Sequence, residues 1–125
     1  MQGCLRRKTI LKDGRKPAVA SWQRYWVQLW ANSLVFYLPK AFKGTERTDY
    51  RREPCKVTPT TGCLVSLSDN PMHPDIFHIR DPIKSNLYKF KACSREEAQS
   101  WFSALQETLG LGQDADNPAN LISFE

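Results

Sequence analysis

The one long helical pattern in the chain comes near its end, after a succession of short β-rich segments. Ser94 to Gly110 opens with Ser94 and Glu97 at capping-box spacing, which satisfies two orphan N–H donors at a helix start. Ala98, Trp101, Phe102, Leu105 and Leu109 then recur at helical spacing and form one wide apolar stripe. Arg95, Glu96, Gln99, Ser103 and Gln106 fall on the other side, and Gly110 is placed to end the helix in a left-handed conformation. A lone helix with a tryptophan in its stripe must bury that stripe against strands.

The preceding segments supply the strands. From Gly3 to Leu11, Leu5, Arg7 and Thr9 share the inward parity, while Cys4, Arg6 and Lys8 take the opposite face. Asp13-Gly14 marks a turn in a loop carrying Lys12, Arg15, Lys16 and a small apolar Ala18-Val19-Ala20. Trp22 to Leu29 sorts into Gln23, Tyr25, Val27 and Leu29 on one face and Trp22, Arg24, Trp26 and Gln28 on the other. After a hairpin turn at residues 30–33, Leu34, Phe36 and Leu38 are expected inward on a third strand. Pro39 to Pro54 reads as a long basic loop, functional or mobile. Four further strands follow around Cys55–Thr58, Cys63–Leu67, Ile76–Arg80 and Leu87–Ala92. The expected fold is mainly β with one α-helix: a seven-stranded, bent antiparallel barrel or sandwich capped by the C-terminal helix. Residues 1–110 form the domain and residues 111–125 a mildly acidic tail. A first strand beginning almost at residue 1 suggests that the chain was cut from something larger.

Charge narrows the function. Residues 1–56 hold 13 Lys/Arg against 4 Asp/Glu and the remainder 5 against 9, which together give the net charge of +5. Such polarity points to an anionic partner. No apolar run approaches a membrane span, and no signal-peptide pattern opens the chain. Cys4, Cys55, Cys63 and Cys93 lie scattered without a metal-ligand pair and read as reduced, mostly buried cysteines of a cytosolic protein. No phosphate-binding glycine loop, metal motif or nucleophile elbow occurs, so no catalytic residue, metal or cofactor is expected. Tryptophans and tyrosines alternate as a core does, without an RNP-like motif, which argues against nucleic acid.

The order of elements and several residues resemble a pleckstrin-homology (PH) domain: Gly3, Leu5 and Arg7 in the first strand, then Trp22 to Trp26 with Leu29, then Leu34 to Tyr37, and Trp101 in the helix. Lys43-Gly44-Thr45-Glu46-Arg47, His73 to Phe77, Tyr88-Lys89-Phe90 and the ending Pro118 to Glu125 are most similar to the C-terminal PH domain of RalGPS-type Ral exchange factors. The resemblance implies a non-catalytic module that recruits a guanine nucleotide exchange factor to membranes by binding acidic phospholipids, phosphoinositides above all. It implies a cytoplasmic protein, peripheral at the plasma membrane, with Ral GTPase reached through the parent protein, and a monomer is expected. The alternative is a protein-interaction module of the same fold that binds a peptide or small GTPase without lipid.

Two lipid sites compete. The favoured inner set is Arg7, Lys12, Arg15 and Lys16 around Tyr25, which replaces the inward arginine of the family's second strand. Gln23 likewise stands where strong phosphoinositide binders carry a basic residue, and Phe36 where a phosphate-contacting tyrosine is usual. The outer set is Arg6, Lys8 and Arg24 with Trp22, whose face, with that of Trp26, would hold the arginines by cation–π contact.

Overall fold

A computed structural model describes residues 1–116, with side chains placed for residues 1–109. Seven strands precede one long helix: β1 (Gln2–Leu11), β2 (Gln23–Trp30), β3 (Ser33–Tyr37), β4 (Lys56–Pro59), β5 (Leu64–Leu67), β6 (Ile76–Asp81), β7 (Asn86–Lys91) and α1 (Arg95–Asp116). They form one antiparallel sheet in the order β4-β3-β2-β1-β7-β6-β5. The expected fold class is the observed one.

The sheet is strongly bent. Strands β3 and β7 stand three positions apart, about 14 Å in a flat sheet, yet Phe36 of β3 and Phe90 of β7 stack at 6.3 Å. Leu5, Tyr25, Val27, Leu34, Phe77 and Phe90 therefore share one buried core on the concave side. The helix closes it against β5 and β6. Ala98, Trp101, Leu105 and Leu109 are buried, and the Trp101 ring lies 6.4 Å from that of Phe77, nearly parallel. Each large side chain so buried contributes about 1.5–3 kcal/mol.

At the helix start Ser94 Oγ accepts the Glu97 N–H at 3.1 Å, the serine half of the expected capping box. The helix does not end at Gly110 but runs on to Asp116. Glycine weakens a helix by about 1 kcal/mol relative to alanine without forbidding it.

Two further expectations change on the convex side. Leu38 lies beyond β3 and is exposed, whereas Tyr37, of opposite parity, is buried. The reason is the loop that follows, which folds back over the sheet. It carries a short 3-10 turn (Arg47–Asp49), and Tyr50 packs with Cys4 and Tyr37 as a small second core flanked by Trp26. The Tyr50 hydroxyl bonds Cys4 Sγ at 2.9 Å and donates to the Gly44 carbonyl at 3.0 Å. Burial, reinforced by Cys4, holds that phenol protonated far above its usual range. Gly44 has φ 138°, and a Cβ there would collide with the Asp49 side chain, so this closure requires glycine. Only Cys4 and Cys63 of the four free cysteines are buried, Cys4 under Tyr50 and Cys63 in the main core; Cys55 and Cys93 are exposed.

Candidate functional site

A cavity of about 500 Å³ opens on the concave side. One rim is Lys12, Asp13, Lys84 and Asn86; the other is β4 from Lys56 to Pro59; Arg7, Phe36, Tyr88 and Phe90 lie between. Arg7 is buried on an aromatic bed, its guanidinium carbon 5.2, 5.0 and 5.3 Å from the ring centroids of Tyr25, Phe36 and Tyr88. These rings shield the guanidinium from water and attract its charge. Its side-chain hydrogen bond, to the Tyr25 hydroxyl, is long at 3.5 Å, and Tyr25 in turn donates to Gln23 Oε1 at 2.5 Å. Arg7 thus retains donors for an incoming acceptor.

Lys12 and Lys56 share this field. The Lys56 ammonium is pushed below its ordinary value by burial first, and then by the charges of Arg7 and Lys12. Among the described residues none of the four cavity cations pairs with a carboxylate; the ion pair present joins Lys91 and Asp75 at 3.9 Å. Asp81, a wall of the cavity, directs Oδ1 to the backbone N–H groups of Ile83 and Lys84 at 3.1 and 3.2 Å. Four cations against two carboxylates leave the cavity positive and rich in donors, an arrangement suited to a phosphorylated ligand.

The rim is fastened by contacts between loops far apart in sequence. The Asp13 N–H donates to Asn86 Oδ1 and the Gly14 N–H to the Ser85 carbonyl, both at 2.8 Å. Asp13, Gly14 and Ser85 adopt positive φ, which turns both loops toward each other. A register shift between Thr9 and Leu11 lengthens β1, so that Lys12, and not Leu11, reaches the cavity.

Of the inner set expected from sequence, Arg7 and Lys12 line this cavity and Tyr25 supports Arg7 from the core. Arg15 and Lys16 do not line it. Residues 12 and 15 pair backbone to backbone across the Asp13-Gly14 turn, and both later cations stay exposed. Lys56 and Lys84 line the cavity in addition to the set expected from sequence. The available signals were Lys56 closing the long basic loop and Lys84 within the Asp81–Asn86 turn, but only tertiary folding shows that these segments meet.

The outer set also assembles. Arg6 and Arg24 are directly opposed in the β1–β2 register, and Arg6 faces Lys91, and Lys8 faces Lys89, in the β1–β7 register. Trp22, just before β2, lines a recess of about 550 Å³ with Arg6, Arg24, Lys40 and Phe42. Arg24 does not stack on tryptophan as expected. Its guanidinium lies 5.6 Å from the Tyr50 ring and donates to the carbonyls of Ala41 and Phe42, because the returning loop occupies that face.

A family model described as PH domain matches residues 1–110. The chain belongs to the PH-domain family. The mouse Ras-specific guanine nucleotide-releasing factor RalGPS1 is 46% identical over 125 residues, all of this chain but 21% of that protein. Mouse RalGPS2 is 42% identical over the same length, again all of this chain and 21% of that protein. The similarity to RalGPS-type exchange factors expected from the sequence is thus found, and this PH domain spans about a fifth of those relatives. Among solved structures, the PH domain of ArhGAP27 superposes with a TM-score of 0.69 at 17% identity, covering 87% of this chain and 98% of that one. The Slm1 PH domain in complex with inositol-4-phosphate superposes at 0.63 with 21% identity, covering 87% and 94%. Among the described residues of this PH domain, no helix is long and apolar enough to cross a membrane.

Proposed function

We propose that this PH domain holds its parent protein at a membrane by binding a phosphorylated, anionic lipid headgroup in the concave cavity. Arg7, Lys12, Lys56 and Lys84 are the phosphate-facing cations, and Asp13 with Asn86 sets the rim. The observation that carries this reading is the convergence of four cations, none paired with a carboxylate among the described residues, on a cavity bedded by aromatic rings. The Slm1 complex supports the ligand class, since a PH domain of this fold holds inositol-4-phosphate. The RalGPS relatives support a guanine nucleotide exchange factor as the parent protein; its action on Ral and its place at the anionic cytoplasmic leaflet of the plasma membrane are part of the same proposal. With Asp13 and Asp81 on the cavity wall and Gln23 and Tyr25 in place of further donors, the site suits one or two phosphates and discriminates weakly among headgroup isomers.

Co-sedimentation with phosphatidylcholine vesicles, with and without phosphoinositide and at two salt concentrations, tests it. Phosphoinositide should increase binding, and salt should weaken it steeply through charge screening. Equal binding to vesicles lacking phosphoinositide would remove the headgroup site.

A further inference from the structure

Phe42 is 99% exposed, although a ring of this size is ordinarily stabilised by burial. Its backbone is nonetheless held in place. Arg24 donates to the carbonyls of Ala41 and Phe42 while lying against Tyr50, and Tyr50 is anchored to Cys4 and Gly44. Holding this segment leaves the Arg24 Nε buried without a partner. An apolar ring is thus presented to solvent from a segment tied to β2 through Arg24. It has company: Trp22, 38% exposed, lines the same recess with Arg6 and Lys40, and Lys43 and Lys91 border an adjoining recess of about 450 Å³ that Phe42 also lines.

We infer that Phe42 is a membrane wedge: its ring enters the headgroup–acyl boundary of an anionic bilayer while Arg6, Lys40 and Lys43 lie against the surrounding headgroups. The charge around the ring selects this occupant over an apolar peptide. An aromatic ring beside several cations matches the composition of a bilayer interface, where apolar burial and attraction to anionic lipid add. The inference rests on the membrane reading above but involves no residue of the concave cavity.

Vesicles of phosphatidylcholine, phosphatidylserine and a phosphoinositide provide the test, with inositol-4-phosphate as soluble probe. Phe42→Ala should weaken vesicle binding about tenfold, the lower end of what full phenylalanine burial implies. Its melt and its affinity for the soluble probe should stay unchanged, and Phe42→Trp should restore binding. Vesicles with brominated acyl chains should quench more fluorescence in Phe42→Trp than in the unsubstituted domain. Equal vesicle binding by Phe42→Ala, or no added quenching, would overturn the wedge and leave the headgroup site standing. Loss of soluble-probe affinity in Phe42→Ala would also overturn it, by placing the ring in a headgroup site. Phe42-dependent capture of an acidic peptide without vesicle binding would assign the surface to a protein partner instead. If the unsubstituted PH domain bound none of these vesicles, wedge and headgroup site would fall together.

Discussion

The backbone N–H of Asp13 donates to the buried side-chain carbonyl of Asn86 at 2.8 Å, across 73 residues of sequence. Two loops that each carry a cavity cation, Lys12 and Lys84, are thereby fixed in relation to each other. Replacing Asn86 with Ala removes the acceptor and leaves the partly buried donor without it, a loss of about 1–3 kcal/mol. Asn86→Ala should lower the melting temperature and weaken inositol-phosphate binding together. Unchanged affinity, measured by calorimetric titration, would show that the rim need not be pre-formed.

Trp101→Ala should be far more damaging to the fold. The indole fills the space between the helix and β6, and truncating a buried aromatic to alanine costs about 3–5 kcal/mol. That is a large share of a small domain's stability. A melt within a degree or two of the parent protein would contradict its place in the core.

Lys56 should separate stability from binding. Burial and the neighbouring Arg7 and Lys12 charges disfavour its ammonium in the folded state. Removing the charge in Lys56→Met should leave the melt unchanged or raise it slightly, by less than about 1 kcal/mol, because the cavity mouth leaves Lys56 open to solvent that screens its charge. Headgroup affinity should fall in the same variant. A lower melt with full affinity would mean that Lys56 serves the fold and not the ligand.

Most of the fold was legible because its signals are local. Alternation in β2 and β7 and the stripe from Ala98 to Leu109 fix which side chains face inward. The site was only partly legible, because parity assigns a residue to a face and not to a neighbour. Arg7 was readable from parity, and Lys12 from its place in the first loop. Lys84 is not, since it joins them at the cavity only through the tertiary placement of the 81–86 turn. The convex side departs from the parity reading at Tyr37 and Leu38 for the same reason: Tyr50 arrives from a loop whose sequence has no period, and it makes a second core on the face where parity places Cys4 and Trp26.

Acid should weaken the fold through His78. Burial lowers its tendency to protonate, and Lys89, facing it across β6 and β7, lowers it further. The unfolded chain has the ordinary value of 6.5. As pH falls through that value the unfolded state takes up a proton that the folded state resists, so stability present above it is progressively lost. His78→Gln should flatten the decline in melting temperature between about pH 7 and pH 5.5. An identical decline in that variant would assign the acid sensitivity to other groups.

The most direct test of the headgroup site compares three charge-matched double reversals in a titration with inositol-4-phosphate, each verified by its melt. Lys12→Glu with Lys56→Glu changes the cavity; Arg15→Glu with Lys16→Glu changes the first loop outside it; Arg6→Glu with Lys8→Glu changes the convex face. Every pair alters net charge equally, so long-range attraction alone would weaken binding equally in all three. The cavity pair should abolish binding, while the other two retain it with a modest, salt-sensitive loss. Retention by the cavity pair, with loss in either of the others, would contradict the assignment of the concave cavity as the headgroup site.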